Sequence, residues 1–438
     1  MQRTASLGRL GVALFAFTGT LILVICLSPI VRADDASGTP GNIQKLVDLG
    51  HKFMGSSSCK SCHGDPADPS GAAKKGTELS VWATLDKHHT SYATLQNDQS
   101  KAIATKGGYG DAANSAKCLQ CHSVNVPAAL RGPDFKLEEG NTCDACHGPS
   151  EVWSGPGGAP HNAKGWAQKR RDADGYDPVA KAKEDGYWDV KMVSLRADNC
   201  AGCHLAIDAK MIAAGHPQPA FELNEYASWE PKHWTDKRGD QYFAQLWAAG
   251  QIVCAKDAML ELTKRIGDAD TADLIKSCYD QAMAHASMVQ ILVDTDGGVG
   301  SETKADFDTA MAALKASGGT DATKIKDPAG VIASNCDKIY TADLAAFAPD
   351  AGATGTILGK VIDGSDDIIK SYGRRGAEQA AYAARWLYLS KAWDADAKKE
   401  LPDDLVAEYK GFFDNRAKDL GDDAAKFADA ISKIKANP

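Results

Sequence analysis

Positive charge, histidine and long apolar runs are all in short supply in this chain, and each shortage narrows its class. Lys and Arg number 49 against 58 Asp and Glu, a formal net charge of −9. Such a chain lacks the cationic surface that neutralises a phosphate backbone, which argues against nucleic acid as a partner. Beyond residue 33 no apolar stretch reaches the roughly 20 residues that span a bilayer, so the expectation is a soluble body, tethered at most once near its N-terminus. From residue 34 to about 234 sustained apolar runs are scarce as well, replaced by Gly, Pro, His and Lys. A segment of that composition is poorly equipped to build a conventional core. Histidine occurs only 11 times in 438 residues, and its placement follows a pattern.

Four of those histidines directly follow a Cys-x-x-Cys pair. Cys59 and Cys62 precede His63, Cys118 and Cys121 precede His122, Cys143 and Cys146 precede His147, and Cys200 and Cys203 precede His204. No Cys-x-x-Cys pair in the chain lacks its His. This is the attachment signature of haem c: the thiols form thioethers to the porphyrin vinyl groups and the adjacent imidazole is the proximal iron ligand. A zinc ribbon would set its two knuckles about 15–20 residues apart and needs no His after them. A thioredoxin-like dithiol needs only one pair per domain. The reading is four covalently bound haem c groups. Four porphyrins also answer the missing core, because each is an apolar plate on which short helices and loops can pack.

The first 33 residues read as an export signal. Arg3 and Arg9 form a positive start, an apolar stretch runs from Leu10 to Ile30, and Val31-Arg32-Ala33 offers a small-residue cleavage site before Asp34-Asp35. Cleavage after Ala33 is the expectation, an uncleaved anchor the alternative, and the periplasm the expected location, since haem is attached covalently outside the bacterial cytoplasm. Losing the three Arg of that segment would take the formal charge from −9 to −12, a surface suited to partners with basic docking patches or simply to solubility.

Composition changes near residue 235, which divides the chain into residues 1–33, a haem-cored domain of short helices and loops over 34–235, and an all-α helical bundle over 236–438. The expected class is mostly α, with little strand. In 240–266 Phe243, Leu246, Trp247, Gly250, Val253 and Cys254 recur at helical spacing, and in 271–293 Leu274, Cys278, Ala282, Val289 and Leu292 do the same. Further amphipathic stretches lie near 304–316, 374–394, 402–415 and 421–435, with breaks at Gly318-Gly319 and Gly352–Gly355. Cys254, Cys278 and Cys336 remain after the haem motifs and Cys26. Cys254 and Cys278 could pair, but buried small hydrophobes is the simpler reading.

A haem iron with His on both faces can only pass electrons, whereas one with a single His keeps a face open. Seven histidines remain for that second face: His51, His88, His89, His161, His216, His233 and His285, six of them before residue 234. His88 and His89 point in different directions on a helix, so one of them is the ligand. His51 suits surface or ligand equally, and His285 reads as a helix-face residue satisfied by a neighbour.

Residues 50–235 resemble the tetrahaem cytochrome c-554 family. The resemblance rests on the order Gly55-Ser-Ser-Ser-Cys59, Trp82 before His88, the Cys118 motif, Cys143-Asp-Ala-Cys146-His147-Gly148-Pro149 with His161 downstream, and the Cys200 motif. The stretches Gly215-His216-Pro217 to Leu223 and Pro231-Lys-His233-Trp234 are similar to segments of larger multihaem cytochromes. The resemblance implies haems in close pairs, His161 on the first haem, His88 on the third and His233 on the fourth. The family's second haem can stay open under a Pro-containing loop, where this chain places His216 as the closing ligand. The implied function is single-electron relay between a redox donor and an acceptor, a multihaem oxidoreductase or a quinol-linked membrane cytochrome among the candidates, and no catalysis. The rival is a reductase or oxidase of a small nitrogen or sulfur compound with one open haem, and no Cys-x-x-Cys-Lys motif supports it. A third reading makes the bundle a docking module.

Overall fold

The structure, a computed structural model, describes residues 42–67, 74–154, 160–205, 207, 209–232, 241–266, 274–344 and 346–391. The export segment, His233 and the amphipathic stretches 402–415 and 421–435 lie outside the described residues. The rest is mostly helical as expected, with no strand among the described residues beyond one isolated bridge between Phe53 and Arg131. No described helix is long and apolar enough to cross a membrane.

Short helices fill the first half. They are α1 (Asn42–Val47), α2 (Lys60–His63), α3 (Glu78–Leu85), α4 (Ser91–Thr94), α5 (Asp98–Gly107), α6 (Ala116–His122), α7 (Cys143–His147), α8 (Trp166–Arg171), α9 (Pro178–Asp185), α10 (Val193–His204), α11 (Ala209–Ala214) and α12 (Leu223–Trp229). All four motif histidines are the last residues of helices: His63 of α2, His122 of α6, His147 of α7 and His204 of α10. One helical turn explains the spacing, because residues i, i+3 and i+4 lie on one face. Two thiols and an imidazole therefore project together without tertiary help.

Five long helices follow: α13 (Tyr242–Ile266), α14 (Ile275–Val293), α15 (Lys304–Ser317), α16 (Ala322–Ala342) and α17 (Ala351–Lys391). The apolar stripes of α13 and α14 coincide with the expected periodicities, and Trp247, Val253, Cys278, Ala282 and Leu292 are all buried. Two expectations fail here. The chain does not break at Gly352–Gly355, which lies inside the first turns of α17, and α16 replaces a stretch with no helical expectation despite Pro328 inside it. Ile325, Ala329, Ile332, Cys336 and Ile339 are fully buried at alternating four- and three-residue spacing, and burial of that stripe outweighs one lost backbone bond at the proline. The real discontinuity of α17 is at Gly373, with φ 52° and ψ −132°, a conformation available to glycine and costly for other residues.

The described residues all belong to one compact unit, and its largest core runs across residue 235. Ala197, Ala201 and Leu205 of the fourth-motif region and Phe221 and Leu223 beyond it share one apolar cluster with Trp247, Met259, Met283 and Leu387 of the long helices. Cys254, Cys278 and Cys336 are free and buried in that cluster, as small hydrophobes.

Candidate haem centres

Ring nitrogens show what each histidine can bind. His63 Nδ1 lies 2.8 Å from Glu78 Oε2, and His88 Nδ1 lies 2.9 Å from Asp86 Oδ1. His122 Nδ1 meets the Ser91 carbonyl at 3.1 Å and Thr94 Oγ1 at 3.0 Å, and His216 Nδ1 meets the Pro217 carbonyl at 2.8 Å. Carboxylates and carbonyls only accept, so in each case Nδ1 carries the proton and Nε2 keeps the lone pair a metal needs. The Glu78 hydrogen bond raises the pKa of His63. Burial acts against His88, but the Asp86 hydrogen bond and charge outweigh it and hold the pKa up at about 9. His204 is pushed down to about 4 by burial, with the nearby His88 adding to the effect.

Three of the motif imidazoles face a second imidazole. Ring centroids are 6.2 Å apart for His63 and His161, 6.3 Å for His122 and His216, and 6.0 Å for His204 and His88. Metal–imidazole bonds of about 2 Å on opposite faces of one ion put two ring centroids roughly 6 Å apart. The donor sets therefore fit an iron between each pair.

These pairings bear on each proposed ligand. His161 faces the imidazole of the first motif, the one the family resemblance implies for it, and His216 faces that of the second, where this chain departs from the family's open site. The ring of His88, expected on the third haem, opposes His204 of the fourth motif, and Glu230 Oε1 lies 3.8 Å from His88 Nδ1. His233 lies outside the described residues. His147 is flanked by Tyr187, whose ring is within 10° of parallel at 6.4 Å, and the two sit side by side because the Trp188 amide donates to the His147 carbonyl at 2.8 Å. His51 Nε2 is 3.1 Å from the Lys183 carbonyl, His89 packs edge-on against Trp82, and His285 Nδ1 meets Gln251 Oε1. The ligand atoms of Asp86, His88 and Glu230 lie within 4.8 Å of one another, but the Nδ1 proton of His88 faces the carboxylates, which suits them to orienting the imidazole rather than to holding a cation.

Attachment points of different motifs also meet. The Cys59 and Cys143 thiols are close neighbours, and so are those of Cys121 and Cys203. The first and third motifs thus share one edge, and the second and fourth another. A cavity of about 510 Å³ opens among Cys59, His63, Cys143, His147, His161 and Cys200, within the ordinary size range of cofactor sites.

Gly148 explains why the third motif continues as His147-Gly148-Pro149. Its φ is +81°, and a Cβ there would lie 2.2 Å from the Gly186 carbonyl oxygen. Gly148→Ala should therefore push the 186–188 strand of chain off His147 and cost about 1–3 kcal/mol. Mass spectrometry of the peptide containing Cys143 and Cys146 should show it largely unmodified by haem, with the other three motif peptides modified as in the wild type.

Sequence reasoning missed Glu78 and Asp86 as orienting carboxylates, and Phe221 and Tyr226 against His204, at centroid distances of 5.9 and 4.9 Å. Only Asp86 left a trace, as an acidic residue two positions before a candidate ligand.

Thiol pairs on single helical turns, each followed by its own imidazole, are the attachment geometry of c-type cytochromes. Residues 58–148 match the family model described as cytochrome c554 and c-prime, which bears out the resemblance over the first three motifs. The fourth motif and the long helices lie beyond that match. No curated protein and no solved structure matches the chain.

Proposed function

We propose that the chain is an exported tetrahaem cytochrome that relays single electrons between redox partners in the periplasm through largely bis-His haems. The observation that carries this reading is the set of three imidazole pairs at 6.0–6.3 Å. When bound, haem c supplies a one-electron iron couple. The chain's own groups keep both axial imidazoles in place through that change: Glu78, Asp86 and the Ser91 and Pro217 carbonyls each hold an Nδ1 proton. Fixed ligands reorganise little when charge moves, which favours fast transfer over substrate binding. Contact between Cys59 and Cys143 and between Cys121 and Cys203 supports two close haem pairs, as a relay requires. The apolar run before Ala33 supports export, and the acidic balance supports donors and acceptors with basic docking faces.

Low-temperature electron paramagnetic resonance of the oxidised protein, with and without nitric oxide, tests this. The expected spectrum is dominated by low-spin ferric haem and unchanged by the gas at three of four sites. A high-spin majority that shifts with nitric oxide would favour the reductase reading instead.

A further inference from the structure

Between Gly215 and Leu223 the chain forms a strap that leads from His216 to Phe221, so it carries the residue facing the second motif and the ring stacked on His204 of the fourth. Its sequence, His216-Pro217-Gln218-Pro219-Ala220-Phe221, cannot build its own ladder. Two prolines remove two amide donors and fix φ, so the strap's carbonyls must find partners elsewhere. They find them on the last helix. Arg375 Nη1 donates to the Pro219 carbonyl at 3.2 Å, Tyr382 OH to the Ala220 carbonyl at 3.3 Å, and Gln379 Nε2 to the Phe221 carbonyl at 3.1 Å. Three consecutive carbonyls are thus held by side chains at i, i+4 and i+7 of one helix face.

The grip continues on both sides. Gln218 Nε2 donates to Gln281 Oε1 of α14, and Ser277 Oγ donates to Gln218 Oε1 at 3.4 Å. Arg385 pairs with Glu225 at 2.8 Å, and Gly250 of α13 lets the strap's end approach so closely that a Cβ there would lie 2.8 Å from Leu223 Cβ. Gln379 is itself locked from behind. Its Oε1 accepts from Gln251 Nε2 at 2.9 Å, and Gln251 Oε1 accepts from His285 Nδ1 at 2.9 Å, all three side chains being buried. The bend at Gly373 turns residues 374–391 onto the strap, and Gly376 passes so near the Ile368 carbonyl that a Cβ there would lie 2.3 Å from its oxygen.

We propose that the long-helix half is a clamp on this strap, with Arg375, Gln379 and Tyr382 as positioning residues that keep His216 opposite His122 and so keep the second haem closed to small molecules. The inference rests on the reading of His216 as an axial ligand. It assigns the helical half a task inside the cytochrome, in place of docking: where the strap is held, the second haem only passes electrons, and where the strap is released, it gains an open face.

The test uses the full-length holoprotein in three forms. His216→Ala defines the open second haem, Gln379→Leu with Tyr382→Phe loosens the clamp from α17, and Gln218→Ala loosens it from α14 without touching the buried network. The readouts are the high-spin ferric resonance and carbon monoxide uptake by the reduced protein, with circular dichroism confirming helix content. Both clamp variants should raise the high-spin fraction roughly three- to tenfold, the factor by which losing one or two net hydrogen bonds shifts a two-state equilibrium. Carbon monoxide uptake should approach, and not exceed, the one haem opened by His216→Ala. If His216→Ala opens a haem while both clamp variants stay low-spin with intact helices, the clamp is wrong and the ligand assignment stands. If His216→Ala itself leaves the spectrum unchanged, the ligand assignment falls and the clamp with it.

Discussion

Replacing Cys200 and Cys203 by Ser will remove the haem of the fourth motif and will also destabilise the helical half, although that half carries no haem motif. The fourth motif ends α10, whose Ala197 and Ala201 are wholly buried in the same cluster as Trp247, Ala282 and Leu387, with Cys200 packed against it. Loss of a porphyrin beside that helix leaves a void, and core voids cost about 2–5 kcal/mol where the surroundings cannot collapse. For a domain of this size the melting temperature should fall by about 10 °C, read by circular dichroism alongside haem content by the pyridine haemochrome assay. Cys59→Ser with Cys62→Ser is the contrasting case. Cys62 is exposed and α2 has no buried residue, so one haem should be lost with the melting of the long helices unchanged. Equal losses of stability in the two double variants would contradict a core shared between α10 and the long helices.

His88→Ala should convert the haem of the fourth motif, and no other, to a high-spin form that binds carbon monoxide at one equivalent per chain. The argument is the 6.0 Å approach of His88 and His204, with the His88 Nδ1 proton committed to Asp86. The decisive form is a double-mutant comparison. In the protein lacking Cys200 and Cys203, His88→Ala should add no new high-spin signal. A second high-spin haem in that background would assign His88 to a different iron, the third included. Asp86→Asn should give a partial version of the same change, since the amide can still accept the Nδ1 proton but supplies no charge.

Much of the attachment chemistry is readable without tertiary structure, because it is local. A thiol at i, another at i+3 and an imidazole at i+4 meet on one turn of helix wherever that turn sits, as α6, α7 and α10 demonstrate, with Cys59 at the N-cap of α2. The stripes of α13 and α14 are readable for the same reason: their period is a property of the helix. Propensity misleads where packing decides. Pro328 and Gly330 hide α16, whose buried stripe overrules them, and Gly352 and Gly355 suggest a break that the packed start of α17 does not make. Gly373, unremarkable among 41 glycines, is where the helix turns.

The facing ligands were half readable. Clustering of the spare histidines with the motifs pointed to His161 and His216, yet which iron His88 serves depends on how α3 and α10 approach, and no spacing encodes that. The strap is harder still. Its partners on α17 are backbone carbonyls, which every residue has, so nothing in Pro219, Ala220 or Phe221 announces that Arg375, Tyr382 and Gln379 will hold them. The sequence by itself determined the cofactor class, the number of attachment motifs and the helical character of both halves, since covalent chemistry and helical periodicity act over a few residues. Only the tertiary structure decided which imidazoles face each other and that the second half grips the first, because those contacts join residues remote in the chain through packing and carbonyl groups that carry no signature.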